Sequence, residues 1–126
     1  MQIHVTIRDI NETDSRVEFE CICGRGTALW EGPFPAIGDG RYVELEISKA
    51  PIPGTEFVET SDPVGIRHVD GGTFLVGDVS VSTAHGWDCF RVGPCEVEFE
   101  VSGEWPVFGR RYRVLTPNMT LYDCNY

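Results

Sequence analysis

Apolar and polar residues alternate along most of this chain. Ile3, Val5 and Ile7 fall on one side of a two-residue repeat, with His4, Thr6 and Arg8 on the other. Val17, Phe19, Cys21 and Cys23 alternate with Glu18 and Glu20, and Val43, Leu45 and Ile47 with Glu44 and Glu46. Cys95, Val97, Phe99 and Val101 alternate in the same way with Glu96, Glu98 and Glu100. A period of two is the signature of a strand with one dry face and one wet face. The pattern predicts strands over 2–9, 16–23, 41–47, 64–69, 73–82, 89–92, 95–102, 110–116 and 120–124, with 28–30 continuing the second.

The punctuation between these segments is that of turns. Asn11 to Ser15 is polar and joins the first two strands as a hairpin. Gly24 to Thr27 reads as a turn or bulge, and residues 32–40 (GPFPAIGDG) as irregular. Asp70-Gly71-Gly72 supplies the positive φ that a tight hairpin requires, and Gly93-Pro94 marks another turn. Gly77 interrupts its strand and suggests a bulge. Ser48 to Pro63 is a long, proline-rich connection carrying Glu56, Glu59 and Asp62, of a length that is often functional. The 14 glycines and 8 prolines leave no room for a long helix. About eight short strands with no helix predict an all-β fold, either a small antiparallel β-barrel or a sandwich. The barrel is preferred, OB-like (of the oligonucleotide-binding type) or six-stranded, because a single inner apolar face suits one sheet closing on itself.

Size fits this picture. The chain has 126 residues, 41% of them hydrophobic, enough for a single β-barrel domain over 1–126. Charge narrows the function. Acids outnumber bases 20 to 10, giving a formal charge of -10. That excess disfavours nucleic acid and anionic membrane surfaces as partners, since both call for a basic field. The opening MQIHVTIRDI has no basic stretch followed by an apolar run, so no signal peptide is expected, and no segment has the apolar length of a membrane span. Five cysteines, an odd number without an export signal, lead to the expectation of a reduced, cytoplasmic protein with mostly buried thiols.

The acidic residues are the leading candidates for function. Residues 1–62 hold 12 acids and 5 bases, so most of the negative excess lies there. Glu96, Glu98 and Glu100 are expected to be neutralised across a strand pair that sets Glu100 opposite Arg111 and Glu98 opposite Arg113. Glu44, Glu46, Glu56, Glu59 and Asp62 have fewer arginines to meet and are the expected contacts to a basic protein partner. Acidic inhibitor or immunity proteins, which neutralise a toxic enzyme and have no active site, share this composition.

A second reading uses the tryptophans. Trp30 adjoins Glu31, Trp87 adjoins Asp88, and Trp105 follows Glu104, each close to a Gly or Pro turn. An aromatic beside a carboxylate can hold a sugar or a cationic ligand, which would make the chain a small-molecule or carbohydrate-binding barrel. The competing explanation is that the indoles plug the barrel ends. A third reading, a cysteine-dependent enzyme using His85 and Cys89, is weak, because catalytic dyads rarely lie so close in sequence. Cys21-x-Cys23 is not zinc-knuckle spacing, and no phosphate loop or nucleophile elbow is present. No catalytic residue, metal or cofactor is therefore assigned, and the leading expectation is a non-enzymatic acidic interaction module.

Overall fold

The computed structural model describes residues 2–47, 52, 54–69, 72–81, 88–97, 109–116 and 119–124, without the side chains of residues 81 and 88. They form eleven strands and no helix. In chain order these are β1 (Ile3–Asn11), β2 (Arg16–Cys21), β3 (Gly24–Glu31), β4 (Gly40–Ile47), β5 (Phe57–Glu59), β6 (Gly65–Val69), β7 (Gly72–Val81), β8 (Asp88–Val92), β9 (Cys95–Val97), β10 (Arg111–Thr116) and β11 (Met119–Asp123). Among the described residues no helix is long and apolar enough to cross a membrane.

Five of the strands close into a barrel. β1 pairs antiparallel with β2 and β4, β2 with β3, and β4 with β11. A parallel pairing of β11 with β3 completes the circuit. Counted along the chain, the barrel strands stand in the cyclic order first, second, third, fifth, fourth, which makes the barrel OB-like. Closure removes the exposed edges that a small open sheet would leave. β1 serves two neighbours by bending: its register slips between Ile7 and Asp9, the extra residue that lets a strand turn a barrel corner.

The remaining strands are an insertion between β4 and β11. β7 is their spine, with β10 along one edge and β6 and then β8 along the other. β5 flanks β10, and β9 flanks β8. Gly77 sits where β7 changes partner from β6 to β8. Its register with Tyr112 is unbroken, so the expected bulge does not occur there. A Cβ at Gly77 would collide with the Arg91 carbonyl, so glycine is required by close backbone approach.

The inserted sheet leans on the start of β3. Gly24 pairs with Ile66, and Ile66 N–H donates to the Cys23 carbonyl at 2.7 Å. Thr73, fully buried, donates its hydroxyl to the Thr27 carbonyl at 2.8 Å and accepts from Thr27 N–H at 3.0 Å. One side chain thus satisfies two backbone groups of β3 that have no strand beside them. The apolar cluster runs without a break from Val5, Ile7, Val17, Phe19, Val43 and Leu121 in the barrel to Leu75, Val79, Phe90, Val97 and Val114 in the insertion. Phe57 packs its ring against Phe90 and Tyr112 at 5.5 and 5.1 Å.

The hairpins β1–β2, β6–β7 and β8–β9 occur as the sequence predicts. Three local expectations are corrected. The turn after β2 is Ile22-Cys23, and β3 begins at Gly24, so Gly24 to Thr27 is strand. The connection Ser48 to Pro63 contains β5. The pairing of 95–102 with 110–116 does not form, because both edges of β10 are occupied by β7 and β5. Arg111 therefore stands opposite Asp78 in the sheet, and Arg113 lies over the Phe74 ring and 4.0 Å from Asp62. Glu98 and Glu100 lie outside the described residues.

Candidate functional site

Alternation on β3, β4 and β11 builds one face of the barrel. Val43 and Ile47 of β4 and Met119 and Leu121 of β11 point into the core. Tyr42, Glu44 and Glu46 of β4, Tyr122 of β11 and Glu31 of β3 are left on the outside. Register then sets them side by side. Tyr122 lies opposite Glu44 on one flank and Glu31 on the other. Glu46 also lies close enough to the Tyr122 hydroxyl to disfavour its ionisation. Two residues along β4 from Glu44, Tyr42 lies opposite His4, and the two rings meet edge to face at 5.1 Å. Tyr42 and Tyr122 remain 59% and 38% exposed, unusually open for large aromatic side chains.

The field over this face is negative, and two groups register it. The Tyr122 hydroxyl is pushed above its ordinary value of 10.0, first by partial burial, then by the Glu46 and Glu31 carboxylates. The Cys124 thiol is also raised, by partial burial and then by Glu44 and Asp123. Among the described residues no Arg, Lys or His lies within ion-pair distance of the Glu31, Glu44 or Glu46 carboxylates. The neutralised acid on these strands is Asp123, which points inward at 4% side-chain exposure and holds Arg41 at 2.8 Å. Arg41 also reaches Asp39 at 3.1 Å. The Asp39 carboxyl is held below its ordinary range by the Ala36 N–H and by Arg41.

The other expected acids lie elsewhere and in different company. Glu56 accepts from Ile52 N–H at 3.1 Å, within its own turn. Glu59 is 3.4 Å from the Arg110 guanidinium, and Asp62 is 4.0 Å from Arg113. These three acids belong to β5 and its flanks, which share no edge with β4 or β11. The structure thus brings Glu44 and Glu46 together with Glu31 and separates them from Glu56, Glu59 and Asp62.

The tryptophan sites fare unevenly. Trp30 is 4% exposed, with its ring N–H donated to the Pro33 carbonyl at 3.0 Å, so it belongs to the core and offers no platform. Glu31 joins the acidic face instead. Trp87, Glu104 and Trp105 lie outside the described residues, as does His85. Asp88 opens β8, but its side chain is likewise outside them. Cys89 is fully buried on β8, which denies a substrate access to its sulfur.

Thr60, Ser61, Asp78, Ser80, Arg91 and Arg111 line an open groove of about 590 Å³ on the inserted sheet. Both of its cations are compensated, Arg111 by Asp78 at 3.0 Å and Arg91 by Glu96 at 2.7 Å. Among the described residues no three His, Cys, Asp or Glu side chains are arranged to hold a metal ion.

Sequence reasoning missed Tyr42 and Tyr122. The signal was present in Tyr42-x-Glu44-x-Glu46, three alternate residues on the wet side of one strand. The partnership with Tyr122 and Glu31 required the parallel closure of β11 on β3. No family model, curated protein or solved structure matches this chain, and the face is interpreted from its own chemistry.

Proposed function

We propose that this chain is a non-enzymatic interaction module that binds a basic protein surface through Glu31, Glu44, Glu46, Tyr42 and Tyr122. The reading fits an inhibitor or immunity protein that covers a basic enzyme, a task that needs charge and shape but no chemistry of its own. One observation carries it: the described acids of the inserted sheet have partners in the fold, whereas these three carboxylates surround an exposed tyrosine without a described cation. An arginine from a partner finds carboxylates for charge-assisted hydrogen bonds and tyrosine rings for stacking. Tyrosine at the centre and acids around it also match the layout of interface hot spots. A net charge of -10 speeds the encounter with a basic protein and makes the rate salt-dependent.

The test is affinity capture from a lysate of the native organism at low and high salt, with three baits. Wild type and Glu56→Lys/Glu59→Lys should retain the same basic protein at low salt and release it at high salt. Glu44→Lys/Glu46→Lys should retain roughly tenfold less of it. Equal retention by all three baits would remove this face as the binding surface.

A further inference from the structure

Cys23 and Cys95 are 72 residues apart in the chain, yet their sulfurs are 3.2 Å apart. Each sits at a tight turn. Cys23 is the second residue of the β2–β3 turn, and Cys95 opens β9 just after the Gly93-Pro94 turn. The two turns dock on each other. The Cys23 thiol donates to the Val92 carbonyl at 3.3 Å, and a Cβ at Gly93 would lie 3.8 Å from the Cys23 sulfur. A disulfide needs sulfurs about 2.05 Å apart, so closure asks for a movement of little more than 1 Å. We infer that Cys23 and Cys95 form an oxidisable dithiol, a modification site that takes a small-molecule disulfide such as oxidised glutathione as its oxidant and locks the barrel to the inserted sheet.

The order of events follows from access. Cys23 is partly exposed, whereas Cys95 is buried. Burial, reinforced by the neighbouring Cys23, pushes the Cys95 thiol well above its ordinary value, so it stays protonated. The Cys23 thiolate attacks one sulfur of the oxidant, whose S–S bond breaks, and the first glutathione leaves as a thiolate that takes up a proton. Cys95 then gives up its proton and attacks the Cys23 sulfur, expelling the second glutathione. Two protein thiols are oxidised to one disulfide, and one oxidised glutathione is reduced to two thiols. Cys21 is the competing third thiol. It is half-buried, and its own thiol is raised by burial and by Cys23, so it too is a poor first nucleophile. The new bond would add a covalent link to the Gly24–Ile66, Thr27–Thr73 and Thr27–His68 contacts that already hold the two parts of the fold together.

The site stands apart from the acidic face and is tested separately. The whole chain is treated with oxidised glutathione, quenched by alkylation and mapped by mass spectrometry. The expected product is lighter by about 2 Da, contains a Cys23–Cys95 cross-linked peptide, and melts roughly 10 °C higher than the reduced protein. Cys21→Ser should keep both the cross-link and the shift. Cys23→Ser, a change at a partly exposed turn, should abolish both, so the test does not depend on how well a variant at buried Cys95 folds. A Cys21–Cys23 cross-link, a stable glutathione adduct on Cys23, or an unreacted pair would each overturn the proposal.

Discussion

The two sheets carry acids in the same way along their strands and use them differently. On β5, β7 and β10 the described carboxylates face arginines: Glu59 with Arg110, Asp78 with Arg111, Asp62 with Arg113. On β3, β4 and β11 the outward carboxylates of Glu31, Glu44 and Glu46 face tyrosine and one another. The first arrangement is cross-strand neutralisation, worth little per pair and needing no partner molecule. The second keeps like charges together on a surface that folding alone does not call for, which is a cost left standing in the free protein. Formal charge therefore says little about where a protein will bind. What matters is which carboxylates the register leaves unanswered.

The contrast can be broken most severely at the carboxylate that the barrel buries together with its cation. Arg41 and Asp123 are 19% and 4% exposed and 2.8 Å apart. Replacing Arg41 by Met removes the cation from a buried acid and should cost about 3 kcal/mol of stability. Urea unfolding measures it, and Arg41→Met/Asp123→Asn should recover part of the loss. If Arg41→Met is neutral, the barrel is indifferent to its charges and the distinction between the sheets fails. The corresponding change on the inserted sheet, Arg111→Met, removes an exposed partner from Asp78. It should move the melting temperature by no more than about 2 °C.

How much of this was legible in the sequence depends on distance along the chain. The hairpins β1–β2, β6–β7 and β8–β9 were readable because adjacent strands and their turn residues decide them locally. Closure of β11 on β3 was not, because a parallel pairing between segments far apart in sequence leaves no local mark. β5 was hidden for a different reason: three residues among prolines are too few to show a period. The error over β10 had a consequence for function. Assigning Arg111 and Arg113 to Glu100 and Glu98 left Glu59 and Asp62 looking unpaired. The register reverses that, and β10 supplies Arg113 to Asp62, while Arg110, just before it, reaches Glu59. Glu44 and Glu46 were correctly seen as outward because strand parity alone fixes their side. Glu31 was noticed only as the neighbour of Trp30, which the fold buries.

The finest probe of the difference is the Tyr122 hydroxyl. Its pKa lies above 10.0 because partial burial, Glu46 and Glu31 all disfavour the phenolate. The unfolded chain ionises this group first as pH rises, so between the unfolded and folded values the native state holds more protons. Stability from this group is therefore complete below about pH 10 and is lost as pH climbs toward the folded value. The Tyr122 ring, followed by NMR across a pH titration, should ionise above 10, and Glu46→Gln should bring that midpoint back toward 10 by removing a charge. Neutralising Glu59 on the other sheet should leave it where it was. Raising ionic strength should shrink the shift in wild type more than in Glu46→Gln, because screening acts on the carboxylate contribution and not on burial. A Tyr122 midpoint indifferent to both Glu46 and salt would mean that burial alone sets it, and the face would then lack the concentrated negative field that distinguishes it from the paired sheet.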